Sequence, residues 1–137
     1  MATVHRFEDL EVWKSARALT NAVYDATMQS KTFSRDFGLR DQIQRASVSV
    51  MSNIAEGFEG GTDAQFLRYL QMARASAGEV RSQLYVALDR AYIDSDQFNT
   101  LYDLADKTSR QLHNLMRHLK SRKTNGYVRE DELGYDI

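Results

Sequence analysis

Phe66, Leu70, Ala73, Ala77, Val80, Leu84, Ala87 and Ala91 follow one another in alternating steps of four and three residues. That is the spacing of a helix that lays one apolar seam against neighbours running nearly parallel or antiparallel to it. Thr62 stands where an N-cap belongs, and Gln65 three residues later completes a capping-box pattern. The spacing predicts a helix over about Asp63–Ala91. The last long segment repeats the rhythm with Leu101, Ala105, Thr108, Leu112, Leu115 and Leu119, and predicts a helix from about Asp96 to Arg122, capped by Ser95 or Asp94. The intervening "YIDSD" is short and favours an antiparallel pair.

Two further amphipathic segments precede these. From about Glu8 to Met28, Leu10, Trp13, Ala16, Thr20, Val23 and Thr27 share a stripe with Tyr24 beside it. From about Leu39 to Gly57, Ile43, Ala46, Val50, Asn53, Ile54 and Gly57 point inward. The polar "QSKTFSRDFG" between them reads as a loop, with Phe33 and Phe37 pinning it to the core. The chain contains no proline. All-β folds use proline in turns and at sheet edges, whereas a helical chain can do without it. These features predict an all-α fold, an antiparallel up-down-up-down four-helix bundle. At 137 residues the chain has a natural single-domain size. We divide it into a bundle domain, 1–123, and an acidic C-terminal tail, 124–137, expected to be mobile or to dock on a partner.

Several chemistries are excluded at this level. Without cysteine there are no disulfides and no thiolate sites. His5, His113 and His118 are dispersed, which argues against a metal cluster. "MATVHRFEDLEVWK" has no signal-peptide core and no segment has the apolar length of a membrane span, so a cytoplasmic location and no membrane partner are expected. The net charge is −1, with no overall bias toward nucleic acid. Its distribution is uneven: the run from Lys107 to Lys123 has no acidic residue and carries Lys107, Arg110, Arg117, Lys120, Arg122 and Lys123. Clustered cations of this kind gain by releasing counterions from phosphates. The competing reading is a solvated helix face.

The stretch "SVSVMSNIAEGFEGG" gathers residues that could build an active site. Ser47, Ser49 and Ser52 are candidate nucleophiles with Glu56 one turn on. No histidine lies near in sequence, and helix serines usually bond to a carbonyl of the preceding turn. Paired glutamates Glu56 and Glu79 fail the di-iron pattern, because "EGFE" and "EVRS" lack the required histidine. We read Asn53, Glu56, Arg74 and Glu79 as a structural polar network across helices, with Glu56 or Glu79 paired to Arg45, Arg74 or Arg81. Gly57, Gly60 and Gly61 follow a helix with no Gly-Lys-Ser/Thr after them, so they are caps and turn residues rather than a phosphate loop. No cofactor and no enzymatic activity are expected.

In this order, "FEDLEVWKSARAL", "GLRDQIQRASVSVMSNIAEGFEGG" and "FLRYLQMARASAGEVRSQLYVALDRAYI" resemble the bacterial four-helix bundle family named for proteins encoded in intervening sequences of 23S ribosomal RNA genes. The likeness spans about Phe7 to Leu119. Where relatives commonly read Ser-Ile-Pro-Ser-Asn-Ile-Ala-Glu-Gly, this chain has Val50 and Met51 in place of Ile and Pro. The resemblance implies a homopentamer and a similarity to the accessory variability protein of diversity-generating retroelements, which binds nucleic acid through a basic surface. Those relatives are strongly basic; this chain is not. Self-assembly has separate support, since Tyr69, Met72, Tyr85, Leu88 and Tyr102 widen the apolar faces beyond one seam. The expectation is a non-enzymatic self-assembling bundle with RNA, DNA or a protein as partner. The alternative is a purely structural scaffold.

Overall fold

The computed structural model describes residues 3–122 in full, and the backbone of 123–124 and 135–136. A 3-10 turn at Phe7–Asp9 leads into α1 (Glu11–Gln29), a short α2 (Lys31–Arg35), α3 (Phe37–Glu59), α4 (Asp63–Asp89) and α5 (Ser95–Thr124). Two-residue strands, β1 (Thr3–Val4) and β2 (Tyr135–Asp136), pair antiparallel. The rest of the expected mobile acidic tail lies outside the described residues.

The four long helices form an antiparallel bundle in which α1 packs on α3 and α5, and α4 packs on the same two. Register is visible in the contacts: Thr20 meets Ser47 while Thr27, a turn or two later on α1, meets Gln44 earlier on α3. Across α4 and α5, Arg81 reaches Asp106 while Asp63 reaches Arg122. The helices' apolar stripes meet in two clusters stacked along the bundle axis. One holds Ala16, Val50, Ile54, Phe58, Phe66, Leu70 and Leu112; the other holds Leu19, Val23, Phe33, Ile43, Val80, Leu84 and Ala105. Between them lies a belt of small hydroxyl side chains. Thr20 Oγ1 shares its hydrogen between the carbonyls of Ala16 and Ser47, at 2.9 and 3.0 Å. Such pairing lets polar groups stay in the core without an unmet donor.

The α4 and α5 seams lie where their spacing placed them, buried from Phe66 to Ala87 and from Leu101 to Leu119, except that α4 ends at Asp89 and Ala91, expected to close its seam, is exposed beyond the helix. Their caps form too. Thr62 Oγ1 accepts from the Gln65 amide at 3.2 Å, and Asp94, not Ser95, closes a reciprocal box with Gln97 at 2.8 and 2.9 Å.

Five expectations change. The supposed loop after α1 contains a helix of its own, because Ser30 accepts from the Phe33 amide and buries the Phe33 ring against the core. Phe37 does not pin it; the residue stays 64% exposed, with the Arg40 guanidinium 4.9 Å from its ring centre. Asp36 caps α3, accepting from the Leu39 amide at 3.1 Å, so the helix starts at Phe37, two residues before the expected Leu39. At the other end α3 runs through Gly57 to Glu59, so Gly57 is a helix-interior residue and not a cap. α1 starts only at Glu11, because Leu10 is extended at ψ 127° and interrupts the turn at Phe7–Asp9.

Candidate nucleic-acid interface

Two of the three serines, Ser47 and Ser49, serve internal packing, while Ser52 is exposed. Ser47 Oγ donates to the Gln44 carbonyl at 2.8 Å, and the Ser49 and Ser76 hydroxyls meet at 3.0 Å across α3 and α4. Asn53 Nδ2 donates to the Ser49 carbonyl and hydroxyl at 2.9 and 3.0 Å. Asn53 therefore locks to its own helix and reaches α4 only through Ser49. Glu56, Arg74 and Glu79, expected beside it, are exposed and make no ion pair among those of the described residues. A glutamate placed at the helix surface gains more from water than from a buried partner, so the four residues do not come together. Among the described residues no three His, Asp or Glu side chains are grouped to hold a metal ion.

The basic run on α5 divides by helical position. Arg110, Arg117 and Lys120 are exposed and, at intervals of seven and three, share one face. Lys107 is exposed as well but stands about 140° around the helix from Lys120. Arg122 is drawn inward: its side chain is 11% exposed, with Nε 3.7 Å from Oδ2 of Asp63, which is 2% exposed. Lys123 belongs to α5, but its side chain lies outside the described residues.

What the α5 spacing alone does not reveal is the contribution of α4. Arg74 and Arg81 line a cleft of about 440 Å³ between the two helices, together with Gln71, Gly78, Met116 and Lys120. Arg81 and Arg110 converge on Asp106, at 3.5 and 3.3 Å. The antiparallel pairing thus sets two rows of cations side by side: Arg74 and Arg81 on α4, Arg110, Arg117 and Lys120 on α5. Asp106 neutralises part of one end. Asp103 is exposed at that same end, and from Lys107 onward α5 has no carboxylate. Reading Arg74 as an internal lock hid this row; the signal was its four-three spacing from Gln71 to Tyr85 through Gly78 and Arg81.

An aromatic cluster continues the same face. Tyr85 of α4 lies one turn from Arg81, and its ring centre is 4.9 Å from that of Phe98 and 5.9 Å from that of Tyr102. Phe98 and Tyr102 are stacked at 5.4 Å with planes 30° apart. Phe98 and Tyr102 pack on the core, while Tyr85 remains 50% exposed. The sequence marked Tyr85 and Tyr102 as surface apolar residues and passed over Phe98, although Phe98 and Tyr102 are an i,i+4 pair.

The fold has a solved counterpart. A crystal structure of a protein of unknown function from the S23 ribosomal protein family, from Bacteroides thetaiotaomicron, superposes with a TM-score of 0.72 at 19% identity, covering 77% of this chain and 95% of that one. That likeness establishes the bundle. No curated protein matches the chain. Residues 8–114, from the turn before α1 to the middle of α5, match the family described as 23S rRNA-intervening sequence protein, and the chain belongs to that family.

Proposed function

We propose that this protein is a non-enzymatic, self-assembling bundle that binds nucleic acid through the α4–α5 face. The observation that carries the reading is the convergence of Arg74 and Arg81 with Lys120 around one cleft, beside Arg110 and Arg117. A groove lined by one sign of charge raises the local concentration of a polyanion despite a net charge of −1. Each phosphate contacted releases counterions, so binding is strongest at low salt. The protein acts in the cytoplasm and, as a homopentamer, repeats the face five times, so that a modest patch gains avidity.

Fluorescence anisotropy with duplex DNA and with structured RNA, at two salt concentrations, tests this. Binding that weakens steeply with salt, and less steeply after Arg117→Ala with Lys120→Ala, supports phosphate contact. Absence of binding to either at low salt removes it. That result leaves a protein scaffold, a reading favoured by the exposed Met72, Val86 and Val48 on the outer faces of α4 and α3. Light scattering that finds a monodisperse monomer at micromolar concentration rejects self-assembly.

A further inference from the structure

The position of Tyr85, Phe98 and Tyr102 relative to the two rows of cations points to a more specific ligand, and we infer that this face binds single-stranded nucleic acid, stacking a base on Tyr85. The inference rests on the phosphate-contact reading above and deepens it. Tyr85 is half exposed, braced by the edges and faces of Phe98 and Tyr102, which are themselves held against the core. A ring held this way loses little freedom when a second planar group settles on it.

Charge decides which part of a nucleotide that group is. Along α5 the cations Arg110, Arg117 and Lys120 lead away from the rings, whereas Asp103 and Asp106 sit beside Tyr102. Phosphates are therefore attracted to the far part of the face and to the cleft that Arg81 lines with Arg74 and Lys120, and held off from Asp103 at the aromatic end, where the uncharged base is the component that fits. Arg81 stands one helical turn from Tyr85, about 6 Å along the axis, so a phosphate at Arg81 leaves its own base within reach of the ring. Tyr102 to Lys120 spans about 27 Å of α5, a run of several nucleotides. A duplex satisfies the cations equally well but offers no open base face, because each base is already covered by its neighbours. Single strands offer one at every position, with little regard to sequence.

The test compares a labelled single-stranded oligothymidine of roughly twelve nucleotides with a duplex of the same length, against the full chain and its Tyr85→Ala and Tyr85→Phe variants. Light scattering and circular dichroism follow each variant's assembly and fold. The expected result is tighter binding of the single strand, lowered roughly 5- to 100-fold by Tyr85→Ala and restored by Tyr85→Phe, with duplex affinity unchanged by either. Equal loss on both oligonucleotides, or no loss on either, overturns the stacking inference while the phosphate-contact reading stands. Failure of the unaltered chain to bind either one at low salt overturns both. Dissociation of the assembly by Tyr85→Ala assigns the ring to a subunit interface and likewise overturns the inference.

Discussion

At the scale of single residues, Gly57 shows how tightly α3 and α4 approach. A Cβ built on it would fall 2.7 Å from Tyr69 Cβ and 2.9 Å from Phe66 Cδ1, well inside van der Waals contact. Phe66 has little room to yield, since it is fully buried and meets Phe58 edge-on at 6.0 Å. Alanine is the better helix former by about 1 kcal/mol, but overpacking costs about 1–3 kcal/mol, toward the upper end where two Cβ atoms collide. Gly57→Ala is therefore expected to lose about 1–2 kcal/mol, read as a lower urea midpoint with unchanged slope. An unchanged or higher midpoint sinks the close-approach account. Tyr92 offers a second test. Its hydroxyl donates to Asp36 Oδ2 at 2.9 Å, and this bond, with some burial and the Asp36 charge, raises its pKa above the ordinary phenol value. The folded state thus holds the proton more tightly than the unfolded chain. The stabilisation is complete below about pH 10 and is lost as pH rises through the raised folded value. As pH rises past about 10 the wild-type urea midpoint should fall more than that of Tyr92→Phe. Parallel curves would show that the bond does not persist in solution.

Elements are stabilised chiefly at their ends. α4 closes with Ala91 at φ 58°, while the Ala91 and Tyr92 amides donate to the carbonyls of Leu88 and Ala87, both at 2.9 Å. This is the Schellman arrangement, which ordinarily places glycine at the left-handed position. Alanine there carries roughly 1 kcal/mol of steric penalty. Ala91→Gly is expected to raise the urea midpoint by a corresponding amount, and a lower midpoint would contradict the motif. The opposite end of the α4–α5 pair is held by Asp63 and Arg122. At 3.7 Å this is attraction between desolvated charges without a short hydrogen bond. Removing Arg122 takes this cation from the buried Asp63 carboxylate, at about 3 kcal/mol or more. Arg122→Ala should destabilise by that order in thermal or urea unfolding, and the double variant with Asp63→Ala by less than the sum of the two single losses. Additive losses would show that the pair does not interact. The elements legible in sequence were those with sustained periodicity, α4 and α5. α2 escaped because one buried ring, Phe33, makes no period. The early start of α3 escaped because its cap, Asp36, precedes the first inward residue by several positions.

The whole molecule separates two roles that the basic run had merged. Six cations within one acid-free stretch looked equivalent, because composition records charge and not direction. The bundle sorts them: Lys120 lines the cleft, Arg117 is exposed on the same face of α5, Arg110 leans on Asp106, Lys107 turns aside and Arg122 closes the helix pair. Periodicity along α5 could place its own residues around the axis, but it could not say which α4 side chains stand opposite. That register follows from the short connection between the two helices and from the close burial of Ala73, Ala77 and Ala87, which is a property of the packed pair. The distinction has a measurable form. For a phosphate-contacting residue, replacement weakens binding and lowers the steepness of log affinity against log salt by about 1. Arg117→Ala and Lys120→Ala should do this on nucleic acid of any sequence, with unfolding midpoints near that of the wild type. Arg122→Ala should show the reverse pattern, a lowered midpoint and an unchanged salt slope for the fraction that remains folded. If Arg122→Ala instead reduces the slope as Lys120→Ala does, the Asp63 pair opens when nucleic acid binds. The α5 C-terminus would then belong to the phosphate-contacting surface as well as to the bundle.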